Sequence, residues 1–249
     1  NNLRLIKKTE IKFTANLNNI KSINQNILKK ILYKLNLLNY KKIITINSKA
    51  FDLLNSNKLN ITEDKIVLLD DHFGHPSSLA LRGKIDQEKI DKHYKYLINL
   101  ITDLSNKFNK EIVVCIHPKD DLEFKKKIFP NFSVVKFETR ENILNAFIVL
   151  FFESSAITDA ILLKKNIITI YSEFMDKNVR NGSNHFKNNV GVVQLKLSNN
   201  YENDTNNLVK QFDIARKKFD NYISHYIAPD KNKLGYEKLI KKINFYFFK

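Results

Sequence analysis

Residues 66–171 constrain the fold more than any other part of the chain. Short apolar runs alternate there with segments of helical period. Ile66-Val67-Leu68-Leu69 and residues 111–116, 133–137, 147–152 and 166–171 read as strands. Between them, residues 86–108 place Ile90, Tyr94, Leu97, Ile98, Ile101 and Leu104 on one helical face. Residues 121–129, 141–146 and 155–163 read as shorter helices. This alternation predicts an α/β domain built on a Rossmann-like parallel sheet.

The flanks are less regular. Ile11-Lys12-Phe13 suits a short strand, and residues 20–38 carry isoleucines and leucines along one helical face. Ile43-Ile44-Thr45-Ile46 is a compact strand candidate, and Ser48 can cap a short helix running to Leu54. Residues 55–64 are polar and loop-like, which places a boundary near residue 64. Residues 1–63 then form a partial or reduced N-terminal α/β region, and residues 64–249 a Rossmann-like domain with C-terminal helices. Beyond Tyr171, residues 180–185 read as a polar loop, 191–195 as a last strand, and 208–226 and 236–247 as helices.

Composition narrows the function classes. The chain carries 42 Lys and Arg against 26 Asp and Glu, a net charge of +16. Such an excess attracts anions, although lysine, asparagine and isoleucine are abundant throughout. Five glycines, with no GxGxxG and no GxxxxGK[ST], argue against dinucleotide redox and P-loop chemistry. Cys115 is the single cysteine and lies inside an apolar strand, so we expect a buried thiol and a reducing compartment. No apolar stretch reaches eighteen residues, and no positive-then-apolar secretion signal opens the chain. No strand motif or recognition helix for nucleic acid is evident.

The candidate site residues sit where strands should end. His117-Pro118 follows one apolar run and Ser154-Ser155 another. Ligands of open α/β sheets bind at the carboxyl ends of the strands. An imidazole, two hydroxyls and the amides of a helix start can hold a phosphate, or the serines can simply cap the helix. Pro118 restricts His117 to an extended backbone. Glu153, before the serines, suits a sugar hydroxyl, a base amine or a cation, and Asp159 suits the helix dipole. Asp70, Asp71, His72 and His75 form a second polar cluster after residues 66–69. A carboxylate there can activate a hydroxyl or orient a histidine, and the cluster can equally line a cleft. Arg82 and Lys119 are phosphate neighbours or plain surface. Arg180 and His185 are placed to meet a ligand from a loop. No metal site is assigned, and His93 and His225 read as structural.

Residues 112–118, Ile-Val-Val-Cys-Ile-His-Pro, resemble the HP motif of bacterial sialyltransferases and capsule-polymer glycosyltransferases. Residues 152–160, Phe-Glu-Ser-Ser-Ala-Ile-Thr-Asp-Ala, resemble their serine motif, and residues 66–71 the strand opening their second domain. The resemblance spans about residues 64–175. It implies a GT-B-type C-terminal domain with part of a preceding domain, and either sequence upstream of Asn1 or a reduced member of the family. It implies a CMP-sugar donor whose phosphate meets His117, Ser154 and Ser155, carrying a sialic acid-like, nonulosonate or Kdo sugar. It implies inverting transfer to a bacterial surface glycan or glycolipid in the cytoplasm, with peripheral contact at the anionic inner membrane. The family's acid–base carboxylate lies in the first domain, near its amino end, and has no assigned counterpart in this chain; Asp70 and Asp71 are acid–base candidates from their own polar cluster. The alternative is a sugar-nucleotide epimerase or hydrolase of the same fold, or a noncatalytic nucleotide- or glycan-binding module. Fold analogy alone does not choose among them.

Overall fold

The computed structural model describes residues 9–14, 40–45, 47–55, 61–71, 73–74, 86–198, 207–229, 234–237 and 239–241. The helix expected at 20–38 lies outside these residues, as do His72, His75 and Arg82. The chain divides into two compact units, residues 59–219 and residues 1–58 with 220–249.

The smaller unit holds two parallel strands, β1 (Thr9–Thr14) and β2 (Tyr40–Thr45), and helix α1 (Lys49–Asn55). Ser48 Oγ accepts from Phe51 N–H at 3.3 Å, the cap expected for α1. The C-terminal residues tie into this unit through backbone. Ser48 N–H donates to Ile227 O at 2.8 Å, and Asp52 accepts from Gly235 and Tyr236 N–H at 2.8 and 3.1 Å. Gly235 cannot carry a larger residue, since an added Cβ would lie 2.6 Å from Asn47 O.

The larger unit is a six-stranded parallel sheet among the described residues. Its strands are β3 (Lys65–Leu69), β4 (Glu111–Cys115), β5 (Ser133–Val135), β6 (Ala146–Phe151), β7 (Asn166–Ser172) and β8 (Val193–Leu197). Their spatial order is β5-β4-β3-β6-β7-β8. Relabelled within the unit this is 3-2-1-4-5-6, the doubly wound Rossmann-like arrangement. Central β3 and β6 are apolar without alternation because both their faces are covered.

Helix α2 (Gln87–Phe108) spans 22 residues. Asp86 caps its start by accepting from Glu88 N–H, and Asn109, at φ 50°, ends it in the left-handed region that asparagine tolerates. It buries Tyr94, Leu97, Ile101 and Leu104 of the predicted face, with His93 and Leu100 besides, while Ile90 and Ile98 are half-buried. Each fully buried leucine or isoleucine contributes roughly 1.5–3 kcal/mol to holding α2 on the sheet. Helices α3 (Leu122–Ile128), α4 (Thr139–Leu144) and α5 (Ile157–Leu162) follow β4, β5 and β6 respectively.

One expectation is corrected. Residues 180–185 are not a loop but part of helix α6 (Lys177–Asn189). Its polar composition hides a narrow inner face: Val179 and Ser183 are buried, Phe186 is half-buried, and Val190 is buried just past the end. Asp176 starts it by accepting from Asn178 N–H at 2.6 Å. Helix α7 (Leu208–Tyr222) passes into a π-helical turn at Ile223–Ile227, closed by Ala228 N–H on Ile223 O. Among the described residues no helix is long and apolar enough to cross a membrane.

Candidate functional site at the strand switch point

Three adjacent strands bring the sequence motifs together. Leu69, the last residue of β3, is registered against Cys115 of β4 on one side and Phe151 of β6 on the other. The segments that leave these strands therefore emerge side by side at one edge. The chain winds outward from β3 to β5 on one side and from β6 to β8 on the other, so the β3/β6 boundary is the switch point where open sheets take ligands.

A cavity of about 540 Å³ lies there. Asp70 and Asp71 line it from β3, His117 and Pro118 from β4, and Glu153, Ser154 and Ser155 from β6. Cys115 and Thr139 complete the same wall. Asp70, Asp71, His117, Pro118, Glu153, Ser154 and Ser155 thus line one cavity, whereas Lys119, Asp159, Arg180 and His185 do not.

His117 is half-buried and its ring orientation is set locally. Its Nδ1 accepts from Lys119 N–H at 3.1 Å, and its carbonyl accepts from Asp120 N–H at 2.9 Å. An imidazole accepting at Nδ1 carries its neutral-form proton on Nε2. The serines differ from expectation. They neither open nor cap α5, whose cap is Ala156 with no side-chain bond. Ser154 Oγ instead accepts from Ala156 N–H at 3.3 Å, and its carbonyl accepts from Ile157 N–H, making a tight turn before the helix. Ser155 and Glu153 are exposed at the mouth of that turn.

Below the cavity is a buried ionic network. Lys125, 2% exposed, donates to Asp70 Oδ2 at 2.5 Å, to Tyr94 Oη at 2.6 Å and to Asp71 O at 3.4 Å. Asp120 Oδ2 is 3.8 Å from the same ammonium. Tyr94 Oη in turn donates a hydrogen bond to Phe73 O at 2.9 Å. Burial raises the Asp70 carboxyl to about 6; Lys125 pulls it back down and Asp120 pushes it up. Asp70 Oδ1 is buried without a hydrogen-bond partner. Burial also lifts the Tyr94 hydroxyl well above its usual range. Cys115 is the expected buried thiol. Burial pushes it up to about 12, which makes it a poor nucleophile.

Sequence reasoning missed Lys125, Tyr94, Asp120 and Thr139 as members of this site. Lys125 stands in Lys125-Lys126-Lys127, where nothing local separates the buried lysine from its exposed neighbours. Asp159 stands in the first turn of α5, where it complements the helix dipole, and it also takes a two-pronged bond from Arg140, at 3.0 and 3.3 Å. This fork clamps α4 to α5 behind the serine turn. Arg140 is 41% exposed, so Arg140→Ala is expected to cost only about 1 kcal/mol in urea unfolding. Among the described residues, no group of three or more His, Cys, Asp or Glu is placed to hold a metal ion.

No protein-family model and no curated protein matches the sequence. Solved structures match in three dimensions. S. aureus MnaA, in a co-structure with UDP, is 12% identical at a TM-score of 0.45, covering 83% of this chain and 54% of that one. The UDP-GlcNAc 2-epimerase of Methanocaldococcus jannaschii, in complex with UDP-GlcNAc and UDP, is 16% identical at 0.43, covering 88% and 59%. The spinosyn forosaminyltransferase SpnP is 12% identical at 0.40, covering 83% and 50%. The chain spans about half the length of these proteins, and at such identities the likeness is one of fold alone. The CMP-linked donor implied by the sequence resemblance is corrected by these findings, because the nucleotides named in the first two are UDP and UDP-GlcNAc.

Proposed function

We propose that this chain binds a nucleotide-linked sugar in the switch-point cavity, as the nucleotide-binding half of a GT-B-type enzyme that modifies such sugars. The observation that carries the reading is the convergence of His117, Ser154 and Ser155 from two strand ends on one cavity. In this reading His117 donates from Nε2 to a phosphate oxygen, and the serine hydroxyls donate beside it. Pro118 stiffens the turn that aims His117. Glu153, exposed at the mouth, accepts from a ribose or sugar hydroxyl. Such fixed donors stabilise phosphate charge as a glycosyl–phosphate bond loosens.

The reaction we favour is epimerisation or hydrolysis of the nucleotide sugar. Asp70 supports it: a carboxyl group at about 6 beside the cavity can take and return a proton near neutral pH. Asp71, next to it on the same wall, is the second acid–base candidate. Transfer to a glycan acceptor is the second reading, supported by the HP and paired-serine resemblance. It predicts turnover only when an acceptor is added. The net charge of +16 then suits an anionic acceptor or the inner face of the cytoplasmic membrane.

Binding is the proper first test. UDP and UDP-GlcNAc are the ligands to titrate by calorimetry, with CMP as the control. His117→Ala is expected to weaken UDP by about 10- to 100-fold, the worth of one hydrogen bond to a charged group. Ser154→Ala should weaken the same ligand. Absence of nucleotide binding, or a His117→Ala variant that binds as wild type does, sinks the proposal.

A further inference from the structure

The ligand edge of the sheet carries a second pocket that the nucleotide reading does not use. It measures about 320 Å³ and is lined by Tyr171, Glu173, Lys177, Arg180 and Lys196 at the carboxyl ends of β7 and β8. Register explains why these groups meet. Tyr171 is paired with Lys196, so their side chains leave the same face of the sheet. Helix α6 begins just after β7, and Lys177 and Arg180 stand three apart on it as helical neighbours. The Arg180 guanidinium lies over the Tyr171 ring, 5.4 Å from its centroid. Stacking of this kind orients the planar fork before any ligand arrives.

The charges do not balance. Glu173 engages Lys196 at 3.1 Å. Asp176, next in sequence to Lys177, has its carboxylate turned to Asn178 N–H as the helix cap. Lys177 and Arg180 have no carboxylate partner among the described residues. Two cations, one of them oriented on an aromatic ring, therefore face a concave pocket with no anion of their own.

We infer that this pocket takes the anionic group of an acidic sugar, a carboxylate or a phosphate. Strand β7 lies directly beside β6, and neighbouring strands are about 4.8 Å apart. The pocket thus begins one strand beyond the Glu153 to Ser155 turn, within reach of a sugar attached to a nucleotide in the first cavity. That link rests on the nucleotide reading above; the anion site rests on its own residues.

The test separates the two. Backbone amide shifts of the full chain are followed by NMR during titration with sodium glucuronate, glucose 6-phosphate, glucose and UDP. An acidic sugar is expected to move the amides of residues 171–180, and neutral glucose to leave them in place. Whichever acid binds tighter identifies the carboxylate or the phosphate as the preferred group. Arg180→Gln is expected to raise the dissociation constant of the acidic sugar at least about 10-fold. Lys177→Gln, also at an exposed position, should weaken it in the same direction and serves if the first variant loses its native spectrum. Equal shifts with glucose, or unchanged affinity in both variants, overturn the anion site. If glucuronate acts and UDP moves nothing, the nucleotide reading falls and this site stands. If UDP acts and no acidic sugar does, the reverse holds.

Discussion

Lys125→Met is expected to remove about 3–5 kcal/mol of unfolding free energy at pH 7.5, the usual result of stripping one partner from a buried ion pair. The substitution nearly keeps the volume and deletes the charge together with its N–H donors. It leaves the Asp70 carboxylate buried with neither of its oxygens partnered, since Oδ1 has no partner even in the intact protein. Asp71 O and Tyr94 Oη lose a donor as well. The loss should shrink as the pH falls toward about 6, because without Lys125 the Asp70 carboxyl takes up its proton at a higher pH than the value of about 6 it has in the wild type. A second substitution checks the cause. Asp70→Asn added to Lys125→Met should recover part of the loss, because the orphaned charge is gone. Urea unfolding at pH 7.5 and pH 5 measures all of this. A Lys125→Met loss below about 1 kcal/mol, or one independent of pH, would show that the network is not ionic in the way its geometry implies.

The same network marks where the sequence is legible and where it is silent. Strand and helix order over residues 65–172 follows from apolar periodicity, because strands buried on both faces cannot hide their pattern. The candidate site was legible for the same reason. A parallel sheet puts all its carboxyl ends on one edge, so polar residues directly after apolar runs fall near one another. Strand order was not legible: β6 returns to pair with β3 rather than β5, and nothing local encodes that choice. Helix α6 was missed because Asn181, Gly182, Ser183 and Asn184 carry loop composition, while the burial that holds the helix rests on a few residues spaced around them. Among the described residues, four non-glycine residues with left-handed backbone, Glu63, Asn109, Phe137 and Lys164, turn the chain where composition signals no glycine. Buried charge is the hardest case. Lys125 and Lys165 are both buried, and each is told from its neighbouring lysines only by a carboxylate distant in sequence, Asp70 for one and Glu63 for the other.

His93 carries a large pH effect on the acid side. Its ring lies 4.3 Å from Phe73 and 5.4 Å from Phe152, and its Nδ1 has no hydrogen-bond partner. Burial, with a smaller push from the Lys125 charge, lowers its proton affinity to a value of about 3, from the ordinary 6.5. The sign follows from which state holds the proton. Below 6.5 the unfolded chain protonates this histidine while the native state does not, until pH is near 3. Stability therefore falls on acidification across that window, by up to about 1.4 kcal/mol per pH unit. Asp70 acts oppositely. Its carboxyl is raised from 3.8 to about 6, so between those values the native state holds a proton that the unfolded chain releases, and acidification stabilises. The two slopes oppose each other between about pH 4 and 6, which masks both in the wild type. Substitution separates them. Plotted against pH, the stability of His93→Phe minus that of wild type cancels every titration the two proteins share. That difference is expected to climb as pH falls from 6.5, reaching roughly 3 kcal/mol by pH 4. The corresponding difference for Asp70→Asn should slope the other way, falling as pH falls from about 6 to 4, because the wild type alone gains from protonating Asp70. A flat His93→Phe difference would mean that this ring already binds its proton in the native state, and that the aromatic packing around it admits the charge.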